Sequence, residues 1–245
     1  MPLMKINDLE IYYEIHGEEN ETPLVLIMGV GSDASLWLLQ IPEFSKKYKI
    51  IAFDNRDVGK TSKTDISYTI ETMAEDTYHL LKKLGVEKAH ILGFSMGGMI
   101  AQAFALRYPE KVRSLVLCST APRGPTGLSL LKMWNELIET IIRLAKYLNI
   151  EQFAKYHSVQ LPKGFIRQSE AVEKFDVIDR LKDIKAPTLV LVGDRDLIAP
   201  VWDAWGMSFR IPNAEFKVLW GCGHALFLEN AWAFNKVVLE FLEKH

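Results

Sequence analysis

Ser95 stands in Gly93-Phe94-Ser95-Met96-Gly97, with Gly98 following. Directly before it runs the apolar "AHILGF", and directly after it the helix-like "GMIAQAFALRYP". A serine hydroxyl attacks a carbonyl carbon only if a base removes its proton during the attack. The G-x-S-x-G spacing is weak alone, and its neighbours strengthen it. A sharp turn from strand to helix would lift the serine above the sheet edge, and a Cβ at Gly93 or Gly97 would crowd the opposite arm of that turn. The other role for a serine at this place is to cap the helix, but a cap asks for no glycine two residues earlier. Ser95 is therefore read as a nucleophile.

The base must be one of six histidines. His16 and His79 fall on a predicted strand and helix far from the relevant sheet edge. His90 begins the strand that leads into Ser95, at its wrong end. His157 lies in a region read below as a lid, and His245 is the last residue. His224, in "WGCGHALFLEN", follows the last predicted strand at the same edge as Ser95. Gly221 and Gly223 free that loop to turn the imidazole back across the edge. A carboxylate must then hold the imidazole in one tautomer. The strand "APTLVLVG" ends in "DRDLIAP", which offers Asp194 and Asp196, both also common turn formers.

These groups need a frame. "PLVLIMG" and "KIIAFDN" are continuously apolar and branched, as strands buried on both faces are. "LEIYYEIHG" alternates and suits an antiparallel edge. Between Thr69 and Gly85, Ile70, Met73, Ala74, Thr77, Leu80, Leu81 and Leu84 recur at helical spacing, with Gly85 as the stop. Strands "VRSLVLCST", "APTLVLVG" and "EFKVLW" continue the alternation with helices, which implies an α/β domain around a mainly parallel sheet. Residues 122–185 interrupt it. They open with "APRGPTG" and then place Leu130, Trp134, Leu137, Ile138, Ile141, Ala145 and Leu148 on one helical face. The division expected is a core of residues 1–121 and 186–245 carrying a helical cap of residues 122–185.

Composition narrows the function. A chain of 245 residues, 49% hydrophobic and with net charge −2, is expected to be soluble and globular and offers nucleic acid no basic surface. No apolar run approaches a membrane span, and "MPLMKINDLE" lacks the halves of a signal peptide. Two cysteines form no disulfide framework, so a cytoplasmic location is expected. Cys222, two residues from His224, is read as packing. No zinc spacing or dinucleotide fingerprint occurs, and no metal or cofactor is expected.

The elbow Gly93–Gly98, the segment Gly193…Asp196…Pro200 and the loop Gly223–His224 together resemble the α/β-hydrolase fold superfamily, in its serine-nucleophile branch of carboxylesterases and enol-lactonases. "DNRDVGKT" (Asp54–Thr61) is similar to that family's D-x-R-G-x-G-x-S turn, with Asp57 where glycine is usual and Thr61 where serine is usual. The resemblance spans nearly the whole chain. It implies that the acid is the aspartate three residues after the strand-ending glycine, Asp196, so that Ser95, Asp196 and His224 form a triad in the family's chain order. It also implies an oxyanion hole of the Met96 and Val30 backbone N–H groups. Val30 lies in "MGVG", where relatives carry His-Gly and this chain has Met28, and Gly31 competes with Val30 as the inward donor.

An aspartate nucleophile, as in haloalkane dehalogenases and epoxide hydrolases, is excluded by Ser95. Pocket walls are expected at Val30, Met96, Trp37, Met133, Trp134, Leu137 and Phe153, with Arg123 the one charged exception. The reaction expected is hydrolysis of carboxylic esters with small to medium uncharged acyl groups. The partner expected is a small-molecule ester or lactone. Enol-lactonase or carbon–carbon hydrolase chemistry is the alternative. A non-turnover ligand-binding receptor with a retained triad is the alternative from another class.

Overall fold

The computed structural model of the protein describes residues 2–124 and 163–245. Its strands are β1 (Leu3–Ile6), β2 (Leu9–His16), β3 (Pro23–Ile27), β4 (Lys49–Phe53), β5 (Ala89–Phe94), β6 (Val112–Cys118), β7 (Thr188–Gly193) and β8 (Ala214–Leu219). They form one eight-stranded sheet in the order β1-β2-β4-β3-β5-β6-β7-β8. The alternating β2 pairs antiparallel with β1 and β4. Strands β3 to β8 pair parallel with one another. The expected antiparallel edge is present, extended by β1, which the sequence reading did not anticipate. A two-residue turn with Asn7 at φ 52° joins β1 to β2.

The apolar strands need cover on both faces because their side chains point alternately up and down. Val25, Ile27, Ile91, Leu115 and Val190 join one core, shared with helices α1 (Ile70–Lys83), α2 (Met96–Arg107) and α4 (Val201–Arg210). Leu24, Leu26, Leu92, Phe94 and Leu191 join the other, shared with α5 (Ala231–Leu242). Helix α1 shows how local signals and packing agree. Thr69 caps it reciprocally with Thr72, and Gly85 ends it at φ 69°. Its buried face includes Ile70, Met73, Leu80 and Leu81, each worth about 1.5–3 kcal/mol on removal from water.

Strand order locates the site. The chain lays β4 on one side of β3, then crosses to lay β5 on the other. In open α/β sheets ligands bind beyond the C-terminal ends of the strands near such a reversal, which is the end of β5 where Ser95 stands.

Of the expected cap, the described residues include helix α3 (Lys163–Glu173) and a 3-10 turn at Ile178–Asp183. The predicted helix beginning near Leu130 lies outside the described residues. The two ends of the insertion run side by side. Arg123 and Asp176 form an antiparallel bridge, flanked by Val177 N–H to Pro122 O at 2.8 Å and Gly124 N–H to Phe175 O at 2.8 Å. Among the described residues, no helix is long and apolar enough to cross a membrane.

Candidate active site

Ser95 occupies φ 53°, ψ −121°, a conformation that costs a non-glycine residue on the order of 1–3 kcal/mol. Its surroundings hold it there. The Ser95 N–H donates to Cys118 O of β6 at 2.9 Å, and Gly98 N–H donates back to Ser95 O at 2.9 Å. A Cβ on Gly93 would sit 2.2 Å from the Gly97 carbonyl oxygen, so the two arms of the turn do meet as expected. Gly97 differs from the expectation. Its Cβ would strike Ile27 O at 2.1 Å and Met28 O at 2.8 Å, so its smallness lets β3 approach the elbow. Ser95 precedes α2 but makes no side-chain cap bond.

Its hydroxyl faces His224 instead, with Nε2 to Oγ at 3.0 Å. The other imidazole nitrogen, Nδ1, lies 2.9 Å from Asp196 Oδ2 and 3.0 Å from Oδ1. The end of β7 and the His224 loop pack backbone against backbone. A Cβ on Gly193 would be 2.3 Å from Cys222 O, and Arg195 N–H donates to that oxygen at 2.9 Å. Gly221 makes the turn at φ 80°. Gly223 N–H is held by Glu229 Oε2 at 2.7 Å.

The two candidate aspartates part company here. Asp194 Oδ1 accepts the N–H groups of Gly221 and Cys222, which braces the loop from behind. Asp196, 3% exposed, faces the imidazole and accepts from Ile198 N–H and Ala199 N–H at 2.9 Å each. Burial pushes its carboxyl pKa up, but the His224 charge, the His224 hydrogen bond and the two backbone donors outweigh it and leave the value lowered. An ionised carboxylate only accepts, so it selects the tautomer with a proton on Nδ1 and a lone pair on Nε2. Burial raises the Cys222 pKa, helped by Glu229 and Asp194, and the buried thiol packs beneath the loop.

The loop after β3 lies against the serine. A Cβ on Gly29 would be 3.2 Å from Ser95 Cβ. Met28 turns its side chain into the core, and its carbonyl accepts from Asn55 Nδ2 at 3.0 Å. Gly31 N–H donates to Gln168 Oε1 of α3 at 2.7 Å. Among the described residues, the Val30 and Met96 N–H groups have no protein acceptor. Met96 opens α2, so the positive end of the helix dipole adds to its N–H. Asp57, standing where the family turn has glycine, adopts φ 71°, the left-handed region that explains the usual glycine.

A cleft of about 230 Å³ opens beside Ser95 and His224. Its described wall mixes Met96, Met99 and Ile198 with Thr120, Arg123 and Asp203, so it is more polar than expected. Trp37 corrects the sequence reading. It is fully buried in the core beneath the sheet, 4.9 Å from the Phe227 ring, and does not line the cleft, because its short helix (Ala34–Trp37) turns that side chain inward. Met133, Trp134, Leu137, Phe153 and His157 lie outside the described residues. His90 is placed at the far end of β5, buried and bonded through Nδ1 to Ser114 Oγ at 2.7 Å. Asn55 and Gln168 were missed. Asn55 lay within a motif already noticed, while nothing in the sequence marks Gln168.

A family model for the alpha/beta hydrolase fold matches residues 22–148. The chain is 32% identical over 280 residues to the 2-hydroxy-6-oxononadienedioate/2-hydroxy-6-oxononatrienedioate hydrolase of Paraburkholderia phymatum, covering 96% of this chain and 91% of that one. The enol-lactonase of Burkholderia xenovorans LB400 superposes with a TM-score of 0.86 at 28% identity, over 99% of this chain and 100% of that one. A thermophilic esterase of Thermogutta terrifontis superposes with a TM-score of 0.85 at 27% identity, over 96% and 94%.

Proposed function

Because the chain belongs to the alpha/beta hydrolase fold family, we propose that it is a serine hydrolase that cleaves carboxylic esters of small to medium uncharged acyl groups through an acyl-enzyme on Ser95. The observation that carries this reading is the unbroken hydrogen-bonded line from Asp196 through His224 to Ser95, with contacts of 2.9 and 3.0 Å. Its strained serine backbone is a second support.

The steps follow from the atoms. His224 Nε2 takes the proton as Ser95 Oγ attacks the ester carbonyl, and Asp196 stabilises the imidazolium. The carbonyl oxygen becomes an anion that the Val30 and Met96 N–H groups receive. His224 then protonates the departing alcohol, and the same nitrogen activates the water that releases the acid. A cleft of about 230 Å³ suits a small acyl group, since pockets for drug-sized ligands measure roughly 300–1,000 Å³. Within the proposed cap of residues 122–185, Arg123, Gly124 and Val172 border this cleft. Ser95→Ala should lower kcat on p-nitrophenyl butyrate by about a million-fold while the melting temperature holds. Retention of most of the activity would remove Ser95 from the mechanism.

A second reading has its own support. Arg123 stands in the cleft wall without an ion-pair partner among the described residues. The Paraburkholderia relative is named for dicarboxylate substrates and the Burkholderia neighbour is an enol-lactonase. An acidic enol-lactone or vinylogous diketone would use the same serine and base, with its carboxylate on Arg123.

A further inference from the structure

Gln168 sits on α3, 137 residues along the chain from the loop it touches. Its side chain is fully buried, and both ends of the amide are engaged. Oε1 accepts from Gly31 N–H at 2.7 Å, and Nε2 donates to Arg56 O at 2.9 Å. Gly31 lies at φ 68° in a turn closed by Ser32 N–H to Gly29 O at 3.4 Å. The peptide joining Val30 to Gly31 is thereby gripped from two sides, its N–H by Gln168 and its carbonyl by Ser32 Oγ at 3.4 Å.

The support behind Gln168 is equally fixed. Arg56, whose carbonyl takes the amide, is itself locked to Asp76 by two bonds of 2.6 and 2.8 Å, both side chains buried. The preceding residue of α3, Arg167, binds Asp57 Oδ2 at 2.8 Å. Gly164 of α3 packs so closely on this turn that a Cβ would meet Asp57 O at 2.2 Å. Helix α3 is thus keyed to a rigid turn, and it presents one amide to the loop beside Ser95.

We propose that Gln168 is a positioning residue of the oxyanion hole. By engaging the Gly31 N–H it removes the competing donor, fixes the turn, and leaves the Val30 N–H aimed at the site where the anion forms. The inference rests on the hydrolase reading of Ser95. A donor misplaced by about an ångström forfeits much of its effect, since removing one such donor outright costs about 10²–10³ in kcat.

The test uses Gln168→Met, which keeps the length and loses both bonds, and Gln168→Glu, which keeps an acceptor for Gly31 and, as the protonated acid favoured by burial, a donor for Arg56 O. Active sites are counted by fluorophosphonate titration, so that misfolded protein drops out of the rate. Per titrated site, Gln168→Met should lose at least tenfold in kcat on p-nitrophenyl butyrate with KM within twofold. It should weaken a trifluoromethyl ketone inhibitor in proportion, and Gln168→Glu should recover most of both losses. A Gln168→Met enzyme with kcat per site within twofold of the parent, or a Gln168→Glu enzyme as impaired as Gln168→Met, overturns the proposal while the hydrolase reading stands. Failure of the parent protein to be labelled or to turn over overturns the reading itself, and the proposal with it.

Discussion

Asp196→Asn changes one atom and should nearly silence the protein. The existing bonds decide which way the new amide points. Asp196 Oδ1 already accepts the Ile198 and Ala199 N–H groups at 2.9 Å, so the amide oxygen must remain there. The NH₂ group then falls at the position of Oδ2, 2.9 Å from His224 Nδ1. A donor there, nearer to Nδ1 than the amide oxygen at 3.0 Å, favours an accepting Nδ1, which moves the imidazole proton to Nε2. That nitrogen faces Ser95 Oγ at 3.0 Å and would point a proton at the hydroxyl it should deprotonate. Such a wrong tautomer costs about ten-thousand-fold in kcat with the geometry intact, equivalent to about 5 kcal/mol of barrier. The assay is steady-state hydrolysis of p-nitrophenyl butyrate beside thermal melting. Asp194→Asn is the control, since Asp194 needs only one oxygen to brace Gly221 and Cys222. A kcat within tenfold of the parent for Asp196→Asn, or an equal loss for Asp194→Asn, would refute the assignment.

Two further outcomes are expected. Burial, with smaller contributions from Arg113 and His245, pushes the His90 pKa down from 6.5 to about 4. The folded state therefore disfavours the charged form, and the unfolded chain binds the extra proton between those values. Stability should be fully present above about pH 6.5 and decline as pH falls towards 4, by up to about 3 kcal/mol. Urea unfolding across that range should show this slope flattened in His90→Gln; an unchanged slope would mean that other groups set it. Arg123→Ala should leave KM for neutral p-nitrophenyl esters within about twofold, because an exposed cation adds little to binding an uncharged chain. A tenfold rise in KM confined to acidic esters or enol-lactones would favour the second reading.

Much of the fold was legible because its signals are local. Continuous apolar runs mark strands that need cover on both faces, and α1 declares itself through spacing, cap and terminal glycine. The elbow at Ser95 was legible for the same reason on one side only: Gly93 serves the tight turn, while Gly97 makes room for β3, a contact that spacing does not show. The choice of His224 used position relative to an edge, a property of strand order that alternation implies.

What the sequence determined alone was therefore the alternation of strands and helices from β2 onward in the sheet domain, the elbow, and the presence of an imidazole and two carboxylates after the right strands. Tertiary structure decided how those carboxylates divide their work, with Asp194 bracing the loop and Asp196 facing the ring. It also turned Trp37 into the core, because the turn of a short helix determines which side a residue faces. And it engaged the Gly31 N–H with Gln168, while the Val30 N–H meets no protein acceptor among the described residues. Such pairings span up to 137 residues and leave no periodic trace, because a hydrogen bond depends on positions in space that only the packed chain brings together.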